Sequence, residues 1–244
     1  MDINLLDILQ EEMAMKLKGG LYHQTQIKFS YNSNRIEGSR LSEEQTRYIF
    51  ETNTINAPGN ETTNVDDIIE SVNHFACFDY MIKTASEKLT EDMIKEFHRI
   101  LKTGTSDARK DWFQVGAYKT VVNMVGGSDT TPPDKVANEM AKLLAVYTQK
   151  DYKSFEDIVE FHYKFESIHP FQDGNGRVGR IIMFRECLAN GILPFIIDHE
   201  HKLFYYRGLK EFPNEKGYLL DTCRSSQDAY EKLVAHFFPN FLSL

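Results

Sequence analysis

The sequence of 244 residues contains little cysteine, and this shortage limits the kinds of site it can build. Its three cysteines, Cys77, Cys187 and Cys223, lack the close spacing of metal sites and disulfide frameworks. Each lies in a segment with the apolar pattern of an amphipathic or buried helix. We therefore expect three reduced thiols that pack as small apolar residues in a reducing compartment.

Basic charge and long apolar runs are also scarce. The chain has 28 Lys and Arg residues against 36 Asp and Glu, a net charge of −8. Because basic residues supply most of the affinity for a phosphate backbone, this balance argues against a nucleic-acid binder. No stretch approaches the ~18 apolar residues of a membrane span, and the N-terminus lacks the pattern of a signal peptide. We therefore expect a cytoplasmic protein without a nucleic-acid or membrane partner.

Helical periodicity dominates the chain and predicts a mainly α fold. One apolar stripe comprises Val65, Ile68, Ile69, Val72, Phe75 and Ala76. Another, near the C-terminus, comprises Tyr230, Leu233, Val234, Phe237 and Phe238. Capping residues Ser42, Thr90 and Ser154 predict helices near 42–53, 90–103 and 154–168.

Two segments depart from the helical pattern. Residues 115–125 are rich in strand-forming types, and Gly126-Gly127 and Pro132-Pro133 end the run, which predicts a small hairpin or extended flap. Residues 53–64 are polar and turn-rich, and they predict a loop between an N-terminal helical region and the main helical body.

The most informative stretch runs from His169 to Arg180 and reads His-Pro-Phe-Gln-Asp-Gly-Asn-Gly-Arg-Val-Gly-Arg. It lies between a helical stripe that ends near Pro170 and a helix that is apolar on most sides, and therefore central. Gly174 and Gly176 suit positive φ angles, in which backbone N–H groups turn inward to bind an anion at a helix N-terminus. A polyphosphate is the guest that this pattern indicates.

The charged residues of the same stretch also indicate a site for an anion. Arg177 and Arg180 lie where the helix dipole disfavours cations, so we expect a compensating anion. Asp173 suits either a Mg²⁺ site beside phosphate oxygens or a simple helix cap. His169 is either a residue favoured by a helix C-terminus or a general base for an incoming hydroxyl.

This stretch resembles the signature of the Fic family, His-Pro-Phe-x-Asp/Glu-Gly-Asn-Gly-Arg-x-x-Arg, and all fixed positions are present. The resemblance implies a Fic/Fido helical bundle with a small β-hairpin flap, and a protein adenylyltransferase that transfers AMP from ATP to a Ser, Thr or Tyr hydroxyl. It implies His169 as the base, Asp173 as the Mg²⁺ ligand, Gly174, Asn175 and Gly176 around the α- and β-phosphates, and Arg177 and Arg180 on the outer phosphates.

The resemblance also extends to two flanking segments. It implies that the flap docks a target protein by main-chain pairing, while Asn123, Met124, Val125 and Gly126 approach the nucleotide. It further implies that Tyr205, Tyr206 and Asn214 border an adenine pocket. A pair of aromatic residues on a helix is otherwise typical of a core.

A second match, at residues 33–38, resembles the family's inhibitory motif, Ser/Thr-x-x-x-Glu-Gly/Asn. Ser33 and Glu37 are four residues apart and would share a helix face. The resemblance implies that Glu37 pairs with Arg180 and blocks the seat of the γ-phosphate. The alternative is a surface salt bridge of about 0–1 kcal/mol to Arg35 or Lys28.

Together these matches predict an N-terminal helical region at 1–62 with the inhibitory motif, a Fic catalytic core at 63–215 and a C-terminal helix at 216–244 that packs on the core. Other activities stay open: a phosphodiesterase that removes AMP with Glu37 positioning water, transfer of UMP, phosphocholine or phosphate, and an idle binding module. The chain's own hydroxyls are candidate targets, and a homo-oligomer is left open.

Overall fold

The structure, a computed structural model, describes residues 4–55 and 62–239, and helices make up most of this part of the chain. Ten α-helices lie in it: α1 Leu5–Met15, α2 Leu21–Ile36, α3 Glu43–Thr52, α4 Val65–Thr84, α5 Glu91–Lys102, α6 Pro133–Tyr147, α7 Phe155–Ile168, α8 Asn175–Ala189, α9 Lys202–Glu211 and α10 Gly217–Phe237. Short 3₁₀ turns lie at Asp107–Arg109 and His199–His201. The prediction of a mainly α fold is confirmed.

The predicted capping residues start the helices that they were expected to start. Ser42 caps α3, and Ser154 caps α7, each by a reciprocal bond with the residue three positions on. Thr90 accepts a hydrogen bond from the Met93 N–H at the start of α5. The helices predicted near 42–53, 90–103 and 154–168 are therefore present within one residue at each end.

Helix α8 runs through the centre of the core, as its apolar pattern predicts. Its Phe184 side chain is fully buried and stacks on Phe29 of α2 at 5.2 Å between ring centroids. Phe184 also packs against Phe78 of α4 at 5.7 Å. Because apolar burial is the main favourable term in folding, these contacts join the N-terminal helices to the same core as the signature stretch.

The apolar stripe predicted for α4 is partly wrong. Phe75 is buried, but Val65 is 65% exposed and Val72 is 41% exposed. The buried face instead carries Ser71 and His74, which contact α2 through the Ser30 hydroxyl and the Phe29 ring. A buried face made partly of polar residues escapes a search for apolar periodicity.

The predicted flap is shorter than expected. Strands β1 (Met124–Val125) and β2 (Ser128–Asp129) form a two-residue antiparallel hairpin. Gly126 and Gly127 have φ angles of 56° and 81° and form its turn, so they lie inside the hairpin and do not end it. Residues 115–123 are not a strand, which corrects the sequence prediction.

Several other expectations concern the ends of the chain and its loops. Tyr230 and Val234 of α10 are buried in the core, and all three cysteines are buried and free of disulfides.

Part of the predicted loop at 53–64, residues 56–61, lies outside the described residues. The three-part division at 62 and 215 stays a prediction. Within the part of the chain described, no helix has the length and apolar character needed to cross a membrane.

Candidate active site

His169 lies at the junction between α7 and the loop that leads to α8. Helix α7 ends at Ile168, and Pro170 disfavours helical geometry for the residue before it. His169 adopts a left-handed conformation with φ 52°, which costs an L-residue about 1–2 kcal/mol, and its N–H donates to the Phe165 carbonyl at 2.9 Å. The surrounding loop must hold this geometry in place.

The loop after His169 is held by Phe171 and Asn175. The Phe171 ring is fully buried and lies parallel to the His98 ring at 4.0 Å between centroids. The Asn175 side chain accepts a hydrogen bond from the Phe171 N–H and donates one to its carbonyl, both at 2.8 Å. The Asn175 amide, which the resemblance implies beside phosphate, is thus already used to shape the loop.

The two glycines of the loop differ in conformation. Gly174 has a φ of 82° and precedes the first residue of α8, as a nest at a helix N-terminus requires. Gly176 lies inside α8 without positive φ, so that part of the prediction is wrong. Its lack of a side chain matters for space: a Cβ there would collide with Glu37 Oε1 and lie 2.9 Å from Arg180 Nη1.

Glu37 and Arg180 form an ion pair at the C-terminus of α2. Arg180 Nη2 donates to Glu37 Oε1 at 2.7 Å and to the Ser33 carbonyl at 2.9 Å, while Nε donates to Ser33 Oγ at 3.1 Å. The Arg180 side chain is only 2% exposed, so this is not a surface salt bridge. Arg35 instead donates to the Ser39 carbonyl.

Arg177, the first arginine of the signature, is also paired, through a partner that the sequence does not indicate. Glu70 of α4 accepts from Arg177 and, at 2.6 Å, from the buried ammonium of Lys102. Asp173 accepts from the same two cations, at 3.0 Å from Arg177 and 2.7 Å from Lys102. The anion expected to compensate the arginines is therefore supplied within the chain by Glu70, Asp173 and Glu37.

This ring of charges fixes the ionisation of Asp173. Burial opposes its charge, but Arg177 and Lys102 hold the pKa of Asp173 well below its usual range. Asp173 is about half exposed, with Oδ2 bonded to both cations. Within residues 4–55 and 62–239 no group of three or more His, Cys, Asp or Glu side chains is arranged to hold a metal. Asp173 thus fits Mg²⁺ as one carboxylate beside phosphate and water ligands, not as part of a protein cage.

The electrostatic surroundings keep His169 uncharged. Burial, and then the ammonium of Lys119, lower the pKa of His169 to about 4, against the opposing influence of Asp173 and Glu37. At neutral pH the imidazole is therefore unprotonated, which is the state that can accept a proton from a hydroxyl.

The flap residues divide into one that faces the loop and three that face outward. Asn123 donates to the carbonyls of Phe171 and Gln172 at 3.3 and 3.4 Å. Met124 and Val125 are 62% and 48% exposed, and Gly126 is exposed at the hairpin turn. Only Asn123 of the four predicted flap residues is thus hydrogen-bonded to the signature stretch.

The predicted adenine-pocket residues also have unlike positions. Tyr205 is 1% exposed and bonds through its hydroxyl to His162 Nε2 at 2.6 Å, so it is a core residue and not a pocket wall. Tyr206 is 42% exposed and donates to the Ile36 carbonyl, one residue before Glu37. Asn214 lies in the exposed turn after α9.

Sequence reasoning also missed Glu166, which lies on α7 one turn before His169. Burial and the neighbouring Glu37 raise the pKa of Glu166 to about 8, while Arg180 acts in the opposite direction. Its Oε1 atom is buried without a hydrogen-bond partner among the residues described. Glu166 belongs to no sequence motif. It can be recognised only from the fold, which places it near Glu37.

Comparison with known proteins agrees with this geometry. Residues 88–187 match the Fic/DOC family. The protein adenylyltransferase Fic of Nematostella vectensis is 30% identical over 191 residues, and protein adenylyltransferase fic-1 of Caenorhabditis briggsae is 26% identical over 206 residues. These alignments include 74% and 82% of this chain, which spans only 42% and 39% of those relatives.

Solved structures show the same fold at low identity. Fic-1 from C. elegans, residues 134–508, superposes with a TM-score of 0.72 at 21% identity. The superposition includes 94% of this chain and 69% of Fic-1. A Fic family protein from Desulfovibrio desulfuricans G20 gives a TM-score of 0.71 at 24% identity, with coverages of 95% and 72%. Residues 88–187 therefore form a Fic/DOC family domain, and the described chain shares the fold of these Fic structures.

Proposed function

We propose that the protein is an adenylyltransferase that transfers AMP from ATP to a Ser, Thr or Tyr hydroxyl of a protein. The observation that carries this proposal is the hydrogen-bonded loop from His169 to Asn175, which ends at the N-terminus of α8, the helix that carries Arg177 and Arg180. The name protein adenylyltransferase, borne by relatives up to 30% identical, supports the same activity.

The proposed reaction divides its work among a few residues. His169, neutral at physiological pH, accepts the proton of the target hydroxyl as its oxygen attacks the α-phosphorus of ATP. The new oxygen–phosphorus bond replaces the bond to the pyrophosphate oxygen, and pyrophosphate leaves. Backbone N–H groups at Gly174 and the first turn of α8 face the developing phosphate charge, and Arg177 and Arg180 hold the outer phosphates.

Cofactor and partner follow from the same site. Asp173, ionised and half exposed, would hold Mg²⁺ together with phosphate oxygens, and the ion would neutralise part of the phosphate charge. The target protein docks at the hairpin of Met124 and Val125, both of which are exposed, by main-chain pairing. The chain's own hydroxyls are a second target, and cytoplasmic location stays a prediction.

We also propose that Glu37 restrains the enzyme. Its carboxylate occupies Arg180 and fills the space above Gly176, at the first turn of α8. An outer phosphate that needs Arg180 must therefore displace Glu37, which costs a buried ion pair. Inhibition thus acts on the seating of ATP, before any chemical step.

Incubation with α-labelled ATP and Mg²⁺ tests the transfer activity. We compare Glu37→Gly with the double variant Glu37→Gly plus His169→Ala, since the single variant frees Arg180 and the double variant also lacks the base. Incorporation of label in the first and its loss by at least 100-fold in the second support the proposal. Absence of label from both, with ATP bound by both, would point to removal of AMP or to another transferred group.

A further inference from the structure

Lys119 is a buried lysine of the flap and is only 3% exposed. Its ammonium donates to Asn123 Oδ1 at 2.7 Å and to Thr130 Oγ1 at 2.5 Å. Within residues 4–55 and 62–239 no carboxylate oxygen lies within 4.0 Å of it. Lys102, by contrast, is equally buried and contacts three carboxylates. A buried ammonium without a carboxylate is unusual and needs a reason.

The bonds of Lys119 join the flap to the loop that follows His169. Its own N–H donates to the Pro170 carbonyl at 2.9 Å. Its partner Asn123 donates to the carbonyls of Phe171 and Gln172. Residues 115–123 form no strand. One main-chain hydrogen bond and the side-chain contacts of Asn123 therefore hold this part of the flap against the loop.

The same ammonium also acts on the catalytic histidine. After burial, the positive charge of Lys119 is the largest influence that lowers the pKa of His169, and Asp173 and Glu37 act against it. The carbonyl of Glu166 also favours a proton on the imidazole. A carboxylate partner for Lys119 would cancel its charge and leave His169 easier to protonate.

We propose that Lys119 is a positioning residue for the transfer reaction: one unpaired ammonium fixes the flap to the catalytic loop and keeps a positive charge facing His169. This inference rests on the proposed function, because it assigns to His169 the role of a base. It gives the flap a second task beside target docking, since the segment that docks the target also controls the charge state of the base.

Three substitutions separate the two effects of Lys119. Lys119→Gln keeps a hydrogen-bond donor but removes the charge, Lys119→Met removes both, and Lys119→Arg keeps both. Lys110→Met is the matched control, because Lys110 lies nine residues away in the same segment and is 46% exposed. All four are made in the full chain with Glu37 intact.

The readout is the titration of His169 by NMR in histidine-labelled protein, together with hydrogen exchange of the flap amides from Lys119 to Asn123. His169→Asn assigns the signal. We expect the pKa of His169 to rise by more than about half a unit in Lys119→Gln and Lys119→Met, and to stay unchanged in Lys119→Arg and Lys110→Met. Exchange of the flap amides should accelerate at least tenfold in Lys119→Met, and less in Lys119→Gln.

The proposal is overturned if the pKa of His169 is unchanged in a folded Lys119→Gln protein. It is also overturned if hydrogen exchange of the flap amides is unchanged in Lys119→Met. If Lys119→Met fails to fold, Thr130→Val serves instead, because it removes one acceptor of the ammonium and should accelerate exchange with the charge retained. Neither readout requires transfer of AMP. Failure of this inference is therefore distinguishable from failure of the proposed function, which would show as absence of label in Glu37→Gly.

Discussion

At the residue scale, Glu166 is a carboxyl whose surroundings raise its pKa strongly. It lies on α7 near the ion pair of Glu37 and Arg180, and burial together with Glu37 raises its pKa to about 8 from an ordinary value of 4.5. His162 on its own helix, and Tyr205 and Tyr206 on α9, also face this region. At neutral pH the folded chain therefore keeps a proton on Glu166 that the unfolded chain releases.

This proton predicts a pH dependence of stability. Because the folded-state pKa is raised, the contribution of Glu166 is fully present below about pH 4.5 and is lost as the pH rises through about 8, at up to about 1.4 kcal/mol per pH unit. Glu166→Gln does not titrate. Its free energy of unfolding, relative to the natural chain, should therefore rise steadily between about pH 5 and pH 8.

Urea unfolding at several pH values measures this difference. The control is Glu156→Gln, which removes an exposed carboxylate at the other end of α7. A difference for Glu166→Gln that does not change with pH would mean that Glu166 is ionised in the folded protein, which would contradict its raised pKa beside the ion pair.

The catalytic and phosphate-binding residues predicted from the signature share one property: they are contiguous. The stretch from His169 to Arg180 is a fixed pattern, so its members can be identified without knowledge of the fold. Glu70, Lys102, Lys119 and Glu166 come from four other segments, and they reach the site only because α4, α5, the flap and α7 pack around α8. The prediction for Tyr205 was wrong because it also depends on the fold: the Tyr205 hydroxyl is hydrogen-bonded to His162 in the core.

At the scale of secondary-structure elements, the C-terminus of α2 lies close against the first turn of α8. Gly176 leaves the space that Glu37 fills, and a Cβ there would collide with Glu37 Oε1. A glycine inside a helix is otherwise replaced by alanine with a gain of up to about 1 kcal/mol. The fit of α2 against α8 should therefore depend on this one missing methyl group.

A double-mutant cycle tests this contact. Gly176→Ala should destabilise the natural chain, because Glu37 must leave the buried Arg180, but should stabilise the Glu37→Gly variant by about 0.5–1 kcal/mol. Gly179→Ala is the control, since its Cβ would meet His162 Nδ1 at 2.7 Å and Glu166 Oε1 at 2.8 Å and not Glu37. Equal effects of Gly176→Ala in both backgrounds, measured by thermal unfolding, would show that Glu37 does not fill this space.

Helices were easier to predict than the flap for a physical reason. A cap and an apolar stripe act within one turn, so Ser42, Thr90 and Ser154 mark their helices locally. Residues 115–123 instead form an irregular segment that bonds to the loop after His169: the Val121 N–H donates to the Gln172 side chain, and the Asn123 side chain donates to the Phe171 carbonyl. Strand propensity reflects such surroundings more than the backbone itself, so it misassigned this segment.

At the scale of the whole molecule, the proposed inhibitor and the proposed catalyst belong to one packed unit. Helix α2 carries Glu37 at its C-terminus and Phe29 in the core against Phe184 of α8, the helix that carries Arg180. The proposed restraining contact therefore lies within one chain, and moving the end of α2 or competing for Arg180 would release it.

Parallel reactions with α-labelled and γ-labelled ATP test directly whether Glu37 restrains AMP transfer by its hold on Arg180. The natural chain, Glu37→Gly and Glu37→Gln are compared at one low protein concentration. We predict at least tenfold more α-label in both variants than in the natural chain, and no γ-label in any of them. Equal α-label in all three would contradict the restraint by Glu37, and incorporation of γ-label would contradict the transfer of AMP.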